Sequence, residues 1–289
     1  MKKQSNITRL VALADCHAGL RVGLCNPSVI LYNEGEHGDL VPYSPQLTAA
    51  QVMMWERYTA WMDEITAMPG IIKLVINGDL THGVRHPQQI MSNRAGDQVL
   101  IAASIIEPWI QTGQVGAVVF IAGTAVHNGA EASQDIETFS FIQHKYPKLK
   151  CRVMYHGSLT VAGVEIDVAH HGPGAGLREW LRGNVAALYL RDRMMGAFQY
   201  DGKPADLYLR AHVHQRIHVT NHLVYQDAEY TSTLVGCLPL CLVNEYARQR
   251  SQSPQFCQFG LQAFTIASGH ISEPEWYSET VDLRTKEEL

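Results

Sequence analysis

The chain has 289 residues, 46% of them hydrophobic and 18% charged. That balance is globular and excludes a disordered, collagen-like or charged-tail protein. With 23 Lys and Arg against 28 Asp and Glu, the net charge is −5. This speaks against a broad nucleic-acid or anionic-membrane surface and leaves room for a local basic patch.

Ile7–Ala14 reads as a buried strand. Gly19–Pro45 carries Gly and Pro punctuation with no steady period and reads as a long loop. Within Pro45–Met68, Val52, Trp55, Tyr58, Thr59 and Met62 recur at three and four, which predicts a helix stopped by Pro69-Gly70. Trp55, Trp61 and Met62 belong to its core side. Ile71–Asn77 is a dense apolar strand, Ala95–Gln111 an amphipathic helix, Val115–Ala122 a further strand and Ser133–His144 a helix. Val153–Tyr155 and Leu159–Ala169 predict a hairpin around His156-Gly157-Ser158. Leu177–Tyr200 predicts a long helix and Ala205–Arg210 a short strand. Beyond, the β-rich runs Ile217–Val224, Tyr230–Val235 and Gln258–Ile266 replace helices. Early alternation and late strands predict one α/β domain over residues 1–289 with two stacked sheets.

The six cysteines form no Cys-x-x-Cys pair, which predicts reduced thiols in a cytoplasmic protein. The apolar run Leu10–Ala14 is too short, and too charged at its flanks, for a signal segment. No run approaches transmembrane length, so no membrane partner is expected.

His and Asp residues collect where apolar runs end. The first run ends in Asp15-Cys16-His17 and the second in Asn77-Gly78-Asp79, with His82 close behind. The third ends in Gly123-Thr124, followed by His127. Later runs end in His170-His171-Gly172 and His212-Val213-His214. Ligands of open α/β sheets bind outside the carboxyl ends of strands, so these groups can converge. Imidazole with carboxylate suits Mn, Fe, Zn or Ni better than Mg. A turn beyond the strand end can spread Asp-x-His and His-x-His toward two adjacent ions, and Asp79 has two oxygens with which to bridge them.

At these residues the chain resembles the calcineurin-like metallophosphoesterase superfamily, with a local look similar to phage and prophage members. The matching motifs are Asp15 with His17, Gly78-Asp79, Gly123, His171-Gly172, and His212 with His214. The resemblance implies a four-layer α-β-β-α sandwich with two mixed sheets. It implies Asp15, His17, Asp79 and His214 at a first divalent ion, and His171 and His212 with the bridging Asp79 at a second. The activity implied is hydrolysis of phosphomono- or phosphodiesters by metal-activated water.

The third motif departs from the family. Thr124 replaces its Asn and Ala125 the following His, so His127 is the candidate second-site ligand or general acid. Glu131 is a spare oxygen ligand, and Ala211 replaces the family's Gly before His-x-His. His170 is expected to support the second ion. His82 and His86, on the loop after Asp79, are candidates to touch the substrate phosphate, and His82 is the next candidate acid. Arg85 and Arg94 are phosphate-contact candidates by charge. Cys16 is expected to point into the core. Gly172-Pro173-Gly174-Ala175-Gly176 could cradle phosphate but lacks the Lys-Ser/Thr of a nucleoside-triphosphate loop. A DNA or RNA nuclease of the same chemistry is the alternative. A non-catalytic interaction protein on this scaffold would have eroded these ligands. Oligomeric state is not encoded in these patterns.

Overall fold

In the computed structural model, side chains of the first strand, β1 (Thr8–Leu13), enter two different cores. Val11 and Leu13 pack toward helices, Leu10 and Ala12 toward a second sheet. A strand covered on both faces requires this period of two. The structure describes residues 7–85, 87–128, 133–174, 182–200, 202–244, 248, 254–285 and 287. After β1 come β2 (Leu31–Glu34), β3 (Leu40–Tyr43), α1 (Ala49–Ala67), β4 (Ile71–Asn77), α2 (Ala95–Gln111) and β5 (Val115–Ile121). Next are α3 (Ala125–Asn128), α4 (Ser133–Lys145), β6 (Cys151–Met154), β7 (His156–Val161), β8 (Val164–Ala169) and α5 (Arg182–Tyr200). The chain continues through β9 (Leu207–Arg210), β10 (Ile217–Tyr225), β11 (Ala228–Gly236), β12 (Phe256–Ala267), β13 (His270–Ile271) and β14 (Glu275–Asp282).

β1, β4, β5 and β6 are parallel neighbours. β12 joins β1 antiparallel and carries β13 and β14 on its other edge, completing a seven-stranded mixed sheet. The second sheet has five strands in the order β10-β11-β9-β8-β7, with parallel pairs at its centre and antiparallel edges. Val11, Leu74, Phe120 and Phe259 of the first sheet pack with Met54, Tyr58, Ile105 and Trp109 of α1 and α2. Between the sheets, Leu10, Ala12, Val75 and Phe264 meet Ile166, Val168, Leu207, Leu209 and Val235. On the far face of the second sheet, Tyr208 and Leu234 meet Ala186, Leu190 and Met194 of α5. Each fully buried aliphatic side chain contributes roughly 1.5–3 kcal/mol. The result is a mixed α/β fold.

α1 begins at Ala49 because Thr48 caps it. The Thr48 hydroxyl accepts from the Gln51 N–H, and the Gln51 amide oxygen accepts from the Thr48 N–H. Its buried stripe is Gln51, Met54, Tyr58, Met62 and Ile65, with Trp55 and Trp61 packed beside it. Val52, expected in that stripe, is exposed.

Three expectations needed correction. The segment Gly19–Pro45 is not all loop, because β2 and β3 pair as a hairpin; most of their side chains are exposed, so no apolar alternation marks them. The expected turn at His156-Gly157-Ser158 lies within β7, and the real turn is Ala162-Gly163. Tyr155 instead marks where the chain leaves β6 in the first sheet for β7 in the second. β14 was not anticipated, since among its residues only Tyr277 is buried.

Among the described residues no helix is long and apolar enough to cross a membrane. All six cysteines are buried and free, and Cys16 sits in the helix-side core as expected.

Candidate metal centre

The chain continues from β1 and β4 side by side past their strand ends. The N–H groups of Asp15, His17 and Ala18 donate to the carbonyls of Gly78, Asp79 and Leu80 at 3.1, 3.1 and 2.8 Å. Within this paired exit the backbone turns left-handed. Among the described residues nine non-glycine residues have positive φ. Ala162, Gln226, Asp227 and Ser268 sit in two-residue hairpin turns, which demand it. The other five are Asp15 (49°), His17 (46°), Asp79 (47°), His212 (70°) and His214 (52°). All five were singled out from sequence as ligands.

The turns spread only one of the paired motifs: His212 and His214 part, whereas Asp15 and His17 stay in one donor group. His214 faces the first group, with its Nε2 3.3 Å from His17 Nε2 and 3.2 Å from Asp15 Oδ1. Two ligand atoms about 2.0–2.1 Å from one tetrahedral ion lie about 3.3 Å apart, so these separations match the edges of such a site. His212 faces the other side, its Nδ1 3.9 Å from Asp79 Oδ2. Asp79 belongs to two compact donor groups, one with Asp15 and His17 and one with His170 and His212. It is the residue that these two groups share.

His170 and His171 occupy different places. His170 is buried, with Nε2 3.1 Å from Asp79 Oδ2 and 3.9 Å from Asp15 Oδ1. The 3.1 Å contact pairs the imidazole with the carboxylate. Among the described residues, His170 Nε2 and Asp15 Oδ1 are buried without a hydrogen-bond partner. A bound cation would satisfy both atoms. His171, the expected ligand, is exposed, its ring 4.6 Å from that of His212, and among the described residues it joins none of the compact donor groups. Gly78 makes room for this arrangement. A Cβ there would stand 2.2 Å from His170 Nδ1, and its φ is +75°.

The second ring nitrogen of each inward histidine is also engaged. His170 Nδ1 donates to the Asn77 carbonyl at 2.8 Å. His17 Nδ1 lies 3.3 Å from His82 Nδ1, and His214 Nδ1 lies 3.8 Å from Cys241 Sγ. Such outer contacts fix ring orientation and tautomer in metal-ligating histidines. Cys241 follows the exit of β11 as His212 follows that of β9. Its position after a strand end was the available signal, and sequence reasoning missed it.

Electrostatics favour a charged Asp79. Burial would raise its carboxyl, but the His170 and His212 imidazoles outweigh burial and hold it well below the usual range. Burial also lowers His170, yet Asp79 and Asp15 push it up to about 9. His17 is held well below its ordinary value, first by burial and then by His127 and His214. A second missed residue, the carboxylate Asp135, accepts from the Leu80 and Gly123 N–H groups at 3.2 and 2.9 Å. Burial pushes it up to about 7. It joins the loops that follow β4 and β5.

The departing motif lies inside the cluster. Thr124 donates to Asp79 through both hydroxyl and backbone. The His127 ring is 4.6 Å from that of His17 and 5.1 Å from that of His82, and its Nδ1 lies 3.1 Å from the His82 carbonyl. It thus joins the His17 side, away from His170 and His212. His82 is buried, its N–H held by the Gln98 amide oxygen. Arg85 is exposed, and Arg94 donates to the Tyr32 carbonyl of β2, so Arg94 is spent on the hairpin. His86, Glu131, Ala175 and Gly176 lie outside the described residues, as does the start of the helix expected from Leu177.

No family model matches the chain, and no curated protein matches it. Among solved structures, an Aquifex aeolicus protein of unknown function is similar at 11% identity and a TM-score of 0.32, over 72% of this chain and 80% of that one. A Thermotoga maritima protein solved by NMR is similar at 10% identity and a TM-score of 0.32, over 96% and 99% of the two chains. Neither likeness carries a fold or an activity over to this chain.

Proposed function

We propose that the protein is a phosphoester hydrolase that uses two divalent ions, of the calcineurin-like metallophosphoesterase type, on a four-layer α-β-β-α sandwich. The three successive cores support the layering. The observation that carries the reading is the left-handed backbone at Asp15, His17, Asp79, His212 and His214. Such conformations cost about 1–3 kcal/mol each and persist where surroundings impose them, typically at ligand clamps. When bound, two ions would clamp a phosphate and activate a water.

The chain's own residues divide the remaining work. Asp15, His17 and His214 would hold one ion, His170 and His212 the other, with Asp79 shared. Asn77, His82 and Cys241 orient the imidazoles. His127, tied through Nδ1 to the His82 carbonyl, keeps Nε2 to carry a proton to the leaving oxygen, a role worth about 10²–10⁴ in rate.

The test is metal counting together with hydrolysis of p-nitrophenyl phosphate and its bis-ester over Mn²⁺, Zn²⁺, Ni²⁺ and Mg²⁺. Asp79→Asn should lose metal and activity while remaining folded. Wild-type rates from that variant in chelator-treated buffer would overturn the reading. Single- and double-stranded DNA in the same assay decide the nuclease alternative, to which a net charge of −5 lends little support.

A further inference from the structure

An open cleft of about 450 Å³ runs from the His170 side of the donor cluster toward α5. Its wall includes His171, Tyr155, His156, Tyr189, Arg193 and Arg210. The hydrolytic reading uses none of these residues. Arg210 organises the wall from beneath. It is only 2% exposed. Its Nε donates to the Tyr189 hydroxyl at 2.8 Å, and its other nitrogens reach the Asp167 carboxylate and the Asp167 and Leu209 carbonyls. The same Asp167 carboxylate holds His156 Nε2 at 2.9 Å. The Arg193 guanidinium lies 5.5 Å from the centre of the Tyr189 ring.

A buried charged fork therefore holds an aromatic ring and an imidazole in fixed positions beside the donor cluster. The cleft volume falls in the range of small-molecule sites. Its wall combines the Tyr189 ring, the imidazoles of His156 and His171, and the guanidinium groups of Arg193 and Arg210. That combination suits a planar group with hydrogen-bonding edges and is wasted on a purely alkyl or plain phenyl group.

We propose that this cleft binds the nucleobase of a nucleoside phosphoester, with Tyr189 as the stacking platform. The inference rests on the phosphoester reading, because the phosphate must sit at the donor cluster for the base to reach Tyr189.

Phosphonates test it without turnover, since they have no ester bond to hydrolyse. Calorimetry on the metal-loaded protein would compare adenosine 5′-methylenephosphonate, benzylphosphonate and ethylphosphonate. The nucleoside ligand should bind at least about tenfold tighter than either of the others. Tyr189→Leu should shrink that preference to within about twofold, whereas Tyr189→Phe should keep it. The affinity ratio within each variant is its own control for folding. Equal affinities of the three ligands for wild type, or an undiminished ratio in Tyr189→Leu, would overturn the proposal. Hydrolysis of p-nitrophenyl phosphate by the same sample tests the phosphoester reading separately, so the two can fail independently.

Discussion

The Thr124 hydroxyl lies 2.6 Å from Oδ1 and 2.7 Å from Oδ2 of Asp79, and the Thr124 N–H donates to Oδ1 at 2.6 Å. One residue thus steadies the carboxylate on which both halves of the cluster depend. Thr124→Val keeps the shape and removes the hydroxyl. Hydrogen bonds to charged groups are worth about 1.5–3 kcal/mol, so the metal-free variant should lose about that much stability in urea unfolding. A loss under about 0.5 kcal/mol would mean that the hydroxyl does not hold Asp79 in solution.

His170 and His171 should respond oppositely to truncation. His170→Ala removes a buried donor between two carboxylates and should lower metal content by one equivalent. His171→Ala, at the rim, should leave metal content intact. Metal analysis of both variants checks this, and a larger loss in His171→Ala would restore the order expected from sequence.

Cys241 should matter through His214. Loss of an outer partner typically weakens metal binding by about 10- to 100-fold. Cys241→Ala should therefore raise the dissociation constant by that factor in competition with a chromophoric chelator. Cys241→Ser, which keeps an acceptor, should recover part of it. Wild-type affinity in Cys241→Ala would exclude the positioning role.

The metal-stripped protein should become less stable between about pH 7 and pH 9. His170 titrates near 6.5 when unfolded but at about 9 when folded, because Asp79 and Asp15 outweigh burial. A group with a raised folded pKa contributes its full stability below the unfolded value and loses it as pH climbs through the folded one. His214 is also raised, with Cys241 and Asp15 outweighing burial, and acts in the same direction. Thermal unfolding in chelator across this window should show the decline, and His170→Gln should flatten it. Rising stability over the same range would contradict the assignment.

Away from the site, Trp109 Nε1 donates to the Tyr58 hydroxyl at 2.6 Å, and that hydroxyl donates to the Ile105 carbonyl at 2.8 Å. Tyr58→Phe strands the indole N–H in the helix-side core. An unsatisfied buried donor costs about 1–3 kcal/mol, which denaturant unfolding should register with no change in metal content.

Much of this architecture was legible because near-continuous apolar runs such as Ile71–Asn77 announce strands covered on both faces. The order of His and Asp residues at their ends pointed to Asp15, His17, Asp79, His212 and His214, the five that share a left-handed backbone outside hairpin turns. What sequence could not resolve depended on neighbours distant in the chain. His170 turns inward because its Nδ1 finds the Asn77 carbonyl, ninety-three positions away, and nothing local distinguishes it from His171. Cys241 and Asp135 act through partners on other elements. The exposed strands β2 and β3 carry too little apolar alternation to be read.

The donors come from both sheets. Asp15, His17 and Asp79 leave the first, and His170, His212 and His214 leave the second. At this edge the protein's own ties between the sheets include the His212 N–H on Asp15 Oδ2 and the Leu240 N–H on the Ala14 carbonyl. An ion shared by the two sets would fasten them together. Occupancy at about a hundred times the dissociation constant adds about 2.7 kcal/mol to the folded state. Amide exchange at Val75 in one sheet and Val168 in the other should then slow in step as metal is added, with the ion as the clasp that couples opening of both.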